Sequence, residues 1–270
     1  MGTEFGGKIF KDIRSTDFDD FFCDCEGAHI TKSRANEIKT ALNLMWDYGK
    51  EIGLVDVNYA KDFKLGEYTF MPQKIKVPKT ATDRDRLIEY YLSLDTVYGY
   101  ACALQECLNI RVSELKALKW SDVFIEDRII MVTHMVDIDG NYCDYNKSHQ
   151  TEGMHELDLS DRAIMILEKI KSKNYGFRDD FLFLGKNGNY LLTGECNNNI
   201  HRACKALGIN KNLTTHDCRR YAATQAALRG MTTAALQNAF GWKDKDTAEH
   251  YVQVAAAKKE QKRVLVDVLN

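Results

Sequence analysis

Proline is nearly absent from this chain of 270 residues, in which only Pro72 and Pro78 occur. Because proline interrupts helices and inner strands, long helices are permitted on both sides of this one stretch. An excess of basic charge is also missing, since 37 Lys and Arg residues face 39 Asp and Glu residues, a net charge of −2. Such a balance gives no support to a nucleic-acid partner, unless the basic groups are segregated onto one face.

Other absences narrow the class of protein. There is no apolar run of about 18 residues that could span a membrane and no signal pattern at the N-terminus, so we expect a cytoplasmic protein. The eight cysteines lack a paired C-x-x-C spacing, which argues against a zinc module and against a disulfide framework. No G-x-x-x-x-G-K-S/T loop and no carboxylate cluster with magnesium spacing occur. We therefore expect neither a metal nor another cofactor.

The composition allows two unequal domains, because 44% of the residues are hydrophobic. Residues 66–82 hold both prolines and lack helical periodicity, which predicts a linker. It would join a small helical domain, 8–65, to a larger domain, 83–256. Residues 1–7 resemble vector-derived sequence, and residues 257–270 are expected to form a tail after the last helix.

Periodicity predicts the fold class. Apolar residues at three- and four-residue steps predict a short helix capped by Thr16 and a longer one from about Thr31 to Ile52. Three later stretches alternate in polarity and predict a three-stranded antiparallel sheet: Arg128–Val136, Tyr142–Lys147 and Met154–Leu159. Helical patterns precede and follow them. The predicted fold is therefore mainly α with a small three-stranded antiparallel sheet, an α+β domain preceded by a small all-α domain.

The longer helix of the first domain has two distinct faces. Its predicted apolar stripe consists of Ala35, Ile38, Leu42, Met45, Trp46 and Ile52. A polar face consists of Lys32, Asn36, Lys39 and Asn43, and the predicted linker adds Lys74, Lys76 and Lys79. These polar groups either contact DNA phosphates or are simply solvated, as most polar helix faces are.

Four separated stretches carry candidate chemistry. One arginine opens a helix, one lysine lies at a hairpin tip, one H-x-x-R pair begins a later helix, and a tyrosine follows a tryptophan by nine residues. Each feature alone is weak, because an isolated tyrosine is usually packed and a lysine beside a turn is usually solvated. Their order in the chain is the signal. The residues are Arg111, Lys147, His216, Arg219, Trp242 and Tyr251.

This order, with the residues around it, resembles the tyrosine recombinase family, which includes phage and transposon integrases. The stretch Asn-Ile-Arg111-Val-Ser-Glu-Leu resembles the first arginine box, and Thr-His216-Asp-Cys-Arg219-Arg-Tyr resembles the second. Asn-Lys147-Ser matches the hairpin lysine, and the helices of residues 10–62 resemble part of the core-binding domain. The resemblance implies a DNA strand transferase, independent of metal and ATP, with Tyr251 as nucleophile.

The residue types suit transesterification at a phosphate. Guanidinium groups stay charged and donate paired hydrogen bonds, so Arg111 and Arg219 are the expected phosphate ligands. Lys147 is the expected general acid for the departing 5′ oxygen. His216 would contact the phosphate or help to take the tyrosine proton, and the indole N–H of Trp242 would bond one oxygen.

Alternatives exist for individual residues. Tyr221 is the nearby rival of Tyr251, and the rivals of Lys147 near turns are Lys171, Lys173 and Lys186. Glu114 and Asp217 are expected to orient arginines or cap a helix and not to be catalytic. Asn109 stands where a glycine is common, and asparagine tolerates the left-handed backbone that such a turn needs.

The resemblance implies a recombinase of a prophage or an integrative and conjugative element. Its partners would be double-stranded DNA sites, three further copies of the chain in a tetramer, and an accessory DNA-bending or excision factor. The tail would dock on a neighbouring protomer. Alternatives are a chromosome-dimer-type resolvase, a type IB topoisomerase-like enzyme and a catalytically silent DNA-binding relative. The complete set of catalytic residue types disfavours the last, and the helical first domain disfavours simple relaxation.

Overall fold

The computed structural model describes residues 4–27, 30–71, 79–144, 154–173, 180–185, 188–242 and 244–269. Contacts between Cα atoms divide the chain into two compact units, Met1–Ile75 and Lys76–Asn270. The division falls inside the stretch 66–82 that the sequence predicts as a linker. Among the described residues, no helix has the length and apolar character needed to cross a membrane.

The first unit is all helical in its described part. The longer predicted helix starts where the sequence predicts, and the side chain of Thr31 caps it by accepting a hydrogen bond from the Arg34 backbone N–H at 3.3 Å. The predicted cap of the shorter helix is wrong, because that helix begins at Ser15 and Thr16 lies inside it. Asn58 caps the last helix by accepting from the Ala60 N–H at 3.0 Å. The α-helices are α1 (Ser15–Gly27), α2 (Lys32–Glu51) and α3 (Tyr59–Asp62), with 3-10 turns at Glu4–Gly7, Phe10–Asp12 and Leu65–Glu67.

Aromatic rings fill the core of this unit. Phe18, Phe22 and Trp46 are fully or almost fully buried, and the rings of Phe18 and Trp46 meet edge to face at 5.1 Å. The predicted apolar stripe of α2 is only partly correct, because Met45 and Ile52 are 54% and 55% exposed. The buried side of α2 contains Trp46, and the neighbouring Met45 points to a different side of the helix. Ile52 follows Glu51, the last residue of the helix.

The second unit is built around one buried helix. Nine of the twelve residues of α5 are buried, as expected for a helix that is apolar on every side. It packs against α4, α7, α8 and α9. The α-helices of this unit are α4 (Ala81–Ser93), α5 (Val97–Leu108), α6 (Val112–Ala117), α7 (Asp161–Lys173), α8 (Thr193–Ala206), α9 (His216–Leu228), α10 (Thr233–Phe240) and α11 (Lys245–Leu269).

A three-stranded antiparallel sheet is present, which confirms the predicted fold class, but its strands are not the three that the sequence predicts. The strands are β1 (Val123–Phe124), β2 (Ile129–Val132), β3 (His134–Val136), β4 (Tyr142–Asp144) and β5 (His155–Asp158). Three antiparallel strands lie in the order β1-β2-β5, and a separate antiparallel pair is formed by β3 and β4. The predicted strand Arg128–Val136 is divided at Thr133, whose hydroxyl bonds the carboxylate of Asp122 at 3.2 Å. Before Thr133 the chain pairs with β1 and β5, and after it the chain pairs with β4.

Helix α11 is longer than the sequence predicts. It runs without interruption to Leu269, across the expected boundary between residues 256 and 257. The reason is local: its sequence contains no glycine or proline, and it has four alanines and four lysines, which favour helix. Ala255 is buried, whereas residues 256–261 are all exposed. The helix therefore leaves the surface of its own unit after Ala255.

The end of α5 requires a left-handed backbone. Asn109 follows the helix with a φ of 58°, and its N–H donates to the Gln105 carbonyl at 2.8 Å. The prediction that asparagine permits this turn is confirmed. The turn matters because the residue two positions later is Arg111.

We predict that Asn109→Ala lowers the free energy of unfolding by about 1 kcal/mol, because a Cβ without a polar side chain is disfavoured in this region. Asn109→Gly should cause no such loss. Urea unfolding of the full chain measures both values. Asn198→Ala on the exposed side of α8 is the control, and an equal loss there would contradict the role of the turn.

Candidate active site

Arg111 and Glu114 form the first part of the site. Arg111 is the N-cap residue of α6 and is held by the side chain of Glu114. One carboxylate oxygen accepts from the Arg111 backbone N–H at 2.7 Å, and the other accepts from its guanidinium at 2.7 Å. The Arg111 side chain is 33% exposed, so part of its guanidinium faces solvent. It can therefore meet an anion while its other edge is fixed.

Arg219 approaches the same carboxylate from α9. A guanidinium nitrogen lies 3.8 Å from the Glu114 oxygen that accepts from the Arg111 backbone N–H, and Arg219 also donates to the backbone carbonyls of Asn109, at 3.5 Å, and of Phe240. The residue is only 6% exposed. Arg219 thus connects the turn after α5, the start of α6 and the end of α10.

Glu114 is completely buried between the two arginines. A buried carboxylate is costly unless it is paired and hydrogen-bonded. Here the Arg111 backbone N–H, the Arg111 guanidinium and the Arg219 guanidinium compensate its charge. The prediction that Glu114 orients arginines is confirmed. Asp217, the other carboxylate considered, accepts from the Thr214 N–H at 2.7 Å and lies 3.8 Å from Arg220, so it caps the start of α9.

A stack of three aromatic rings leads from Arg219 to Tyr251. The Arg219 guanidinium lies 5.2 Å from the ring centroid of Phe240 and 5.6 Å from that of Trp242. The Phe240 and Trp242 rings stack at 4.9 Å, and the Trp242 and Tyr251 rings stack at 5.3 Å with only 6° between their planes. Gly241, with a φ of 55°, allows the sharp turn that brings this stack together.

His216 is the first residue of α9 and is exposed. Residues three apart on a helix are neighbours, so His216 lies one turn before Arg219 on the same side of α9. Tyr221 lies two residues after Arg219, a spacing that places it on a different side. The Lys79 ammonium lies over the Tyr221 ring at 5.6 Å, away from the three-ring stack.

The predicted general acid Lys147 lies outside the described residues, as does its rival Lys186. The other two rivals are on α7 and are engaged there. Lys171 lies 5.9 Å from the ring centroid of Trp120, and Lys173 pairs with Asp95 at 2.6 Å. Neither is at the tip of a hairpin.

Comparison with known proteins identifies this arrangement. The family model described as "Phage integrase family" matches residues 88–258, which include all six predicted catalytic positions. The chain belongs to the phage integrase family. It is thus a tyrosine recombinase, and the resemblance drawn from the sequence is confirmed.

Two curated relatives and one solved structure agree. The chain is 27% identical to the prophage ps2 probable integrase of Lactococcus lactis, over 90% of this chain and 68% of that protein. It is 21% identical to the integrase of Staphylococcus phage L54a, over 79% and 68%. The Tn1549 transposon integrase in complex with a circular intermediate DNA has the same fold, with a TM-score of 0.75, 17% identity, and coverage of 97% of this chain and 89% of that one.

The sequence did not identify Gln105 as part of the recombinase site. Its side-chain amide donates to the carbonyls of Ile110, at 3.0 Å, and Thr215, at 3.5 Å, which precede Arg111 and His216. Gln105 is 2% exposed. Two adjacent polar residues, Gln105 and Glu106, in an otherwise apolar helix were the available signal, because buried polar groups need partners.

The predicted DNA contacts of the first unit have different environments. Lys32 and Asn36 are exposed on α2. Lys39 donates to the Phe63 carbonyl and Asn43 accepts from Asn58 at 2.9 Å, so these two help to pack their own unit. Lys74 and Lys76 lie outside the described residues.

Lys79 requires a correction. Its side chain is 1% exposed and pairs with Glu106, so it does not offer the surface that the predicted DNA contact needs. A lysine in a linker is usually solvated, and no local pattern indicated its distant partner.

We predict that Glu114→Gln lowers the free energy of unfolding by about 2–3 kcal/mol, since it leaves two arginines without the charge that compensates them. Urea unfolding measures this loss. Asp85→Asn, which removes an exposed partner of Arg162, should cost no more than about 0.5 kcal/mol. Equal losses in the two variants would mean that the burial of Glu114 is unimportant.

Proposed function

We propose that this recombinase is an integrase of a prophage or an integrative and conjugative element. It would cut and rejoin double-stranded DNA through a covalent 3′-phosphotyrosine at Tyr251. One observation carries the proposal: two arginines share a buried carboxylate, and stacked rings connect one of them to Tyr251. The names of the curated relatives and the DNA complex of the Tn1549 integrase support it.

The proposed cleavage is an in-line substitution at phosphorus. The Tyr251 oxygen forms a bond to phosphorus as the bond from phosphorus to the 5′ oxygen breaks. Arg111 and Arg219 would bind the non-bridging oxygens and stabilise the charge that develops on them. The energy of the phosphodiester is kept in the new ester, so a 5′ hydroxyl of a second DNA end can reverse the step and release Tyr251 without ATP.

Protons must be moved in both directions. In this proposal Lys147 protonates the departing 5′ oxygen, and His216 contacts the phosphate or takes the proton of Tyr251. The exposure of His216 and its position one turn before Arg219 support a place beside the phosphate. Trp242, in contact with both Tyr251 and Phe240, would bond one phosphate oxygen through its indole N–H.

The assembly is proposed as a tetramer on two DNA sites in the cytoplasm, with an accessory DNA-bending or excision factor. Lys32, Asn36, Lys74 and Lys76 would contact the DNA backbone. The end of α11 would dock on a neighbouring protomer, which is supported by the exposure of residues 256–261. The 14 residues of α11 that follow Ala255 extend about 21 Å, enough for a docking segment.

We predict that Tyr251→Phe abolishes a covalent protein–DNA adduct and that Tyr221→Phe leaves it undiminished. The substrates are nicked duplexes that tile the DNA on both sides of the gene, incubated with EDTA and without ATP. Nicked DNA loses the short strand after cleavage, so the adduct accumulates and is counted by denaturing electrophoresis. An adduct that survives in Tyr251→Phe, or is lost in Tyr221→Phe, would contradict the assignment of the nucleophile.

The same substrates separate recombination from simple relaxation. Two intact duplexes that both form adducts should yield recombinant products when they are mixed. A type IB topoisomerase-like enzyme would instead relax supercoiled plasmid and give no recombinant product from the mixed duplexes.

We predict that Lys147→Ala slows adduct formation by about 10²–10⁴-fold on ordinary DNA. A substrate with sulfur in place of the bridging 5′ oxygen should restore most of the rate. The reason is that a thiolate, whose conjugate thiol has a pKa of about 8.5, leaves without being protonated. His216→Ala is the control, since sulfur should not restore it to the same degree. Failure of sulfur to rescue Lys147→Ala would remove Lys147 as the general acid.

A further inference from the structure

The second unit, Lys76–Asn270, contains Tyr251 and is called the catalytic unit below. Its described part begins with a buried ion pair. The Lys79 ammonium binds the carboxylate of Glu106 on α5, and the two side chains are only 1% and 8% exposed. The same ammonium lies 5.6 Å from the ring centroid of Tyr221 on α9. Lys79 therefore connects the chain entering this unit to two helices of the site.

A second ion pair follows within one helical turn. Asp83 is the third residue of α4, where its carboxylate accepts from the Thr80 N–H at 2.9 Å, and it also binds the Lys211 ammonium. Burial alone would raise the pKa of Asp83, but the hydrogen bonds from Lys211 and Thr80 outweigh it and hold this pKa below its ordinary value. Asp83 is therefore ionised at neutral pH.

Both pairs reach the segments that carry the arginines. Glu106 is next to Gln105, which bonds to the residues before Arg111 and before His216. Lys211 lies in the loop that leads into α9. Lys79 and Glu106 also affect the thiol of Cys218, which is next to Arg219. Burial is the main cause that raises the pKa of Cys218 to about 12, and the charge of Glu106 adds to it. The charge of Lys79 acts in the opposite direction and lowers this pKa. The ion pair thus lies near the first turn of α9.

Stability alone does not account for such a buried pair. Removing two charges from water offsets most of their attraction, and apolar residues of similar volume often stabilise a protein as well or better. What an ion pair with fixed partners adds is directional placement, and it does so here at α5 and α9. The placement of a phosphate ligand matters strongly for rate, because an error of about 1 Å can cost about 10²-fold.

We propose that Lys79 is a positioning residue of the recombinase, which holds the Arg111 and Arg219 segments in the geometry that cleavage requires. The inference rests on the proposed function, since it concerns the same phosphate site. Lys79 acts through Glu106 and Tyr221. It does not touch DNA in this proposal.

The test uses variants of the full chain in which no charge is left buried alone. Lys79→Met with Glu106→Leu replaces the first pair by apolar groups. Tyr221→Leu removes the ring that Lys79 contacts, whereas Tyr221→Phe keeps it. Arg162→Met is the matched control, because it removes exposed ion pairs with Asp85 and Glu89 in the same unit. Each protein is assayed on the nicked duplex that gives the most adduct with the parent protein.

Two quantities separate positioning from general destabilisation. The adduct rate at saturating protein should fall by about 10–100-fold in the double variant. The protein concentration that gives half of the maximal rate should stay within about threefold, because the phosphate ligands are displaced and not removed. Tyr221→Leu should also be slow, and Tyr221→Phe and Arg162→Met should be normal. Thermal melting identifies any variant that does not fold.

The outcomes are distinguishable. A folded double variant that cleaves within about twofold of the parent rate would overturn the inference. If the double variant does not fold, a normal rate for Tyr221→Leu overturns it instead, as would an equal loss in Tyr221→Phe. Absence of any adduct from the parent protein would contradict the proposed function itself.

Discussion

The arrangement of the catalytic unit depends on one buried carboxylate. Glu114 has no contact with water, and its charge is tolerated only because Arg111 and Arg219 come to it from different helices. This requirement fixes the start of α6 against α9. The other polar contacts follow the same geometry, since Gln105 joins the residues before each arginine-bearing segment and Arg219 reaches the carbonyl at the end of α10. The proposed phosphate site is thus assembled from segments more than 100 residues apart in the chain.

Local signals allowed much of this fold to be predicted. Thr31 and Thr96 cap the helices that periodicity indicates, because capping and amphipathic spacing involve only residues a few positions apart. The order of the six candidate catalytic residues was sufficient for the family, and the left-handed turn at Asn109 followed from the residue type. The orienting role of Glu114 could be predicted because it is three residues from Arg111, one helical turn away.

Long-range contacts decided what the sequence could not predict. Lys79 looked like a solvated linker residue until folding brought Glu106 to it, 27 residues later in the chain. Alternation predicted one strand across Thr133, but Asp122 diverts the chain there. Met45 has the spacing of a core residue, and only the packing of Trp46 shows that it faces outward. For Lys79 and Thr133 the contact that matters is with a residue distant in the chain. For Met45 it is the choice of which side of the helix is buried.

The shared carboxylate also has a consequence for handling the protein. Two guanidinium groups with one carboxylate leave one positive charge in excess, and one of the two guanidiniums is 33% exposed. As the proposed phosphate site, such a cluster would also receive small tetrahedral anions before any DNA arrives, because phosphate and sulfate match the guanidinium geometry as a nucleotide does. These ions would then compete for the site itself, apart from the general screening that every salt causes. Chloride and phosphate buffers of equal ionic strength would then not be equivalent solvents for this enzyme.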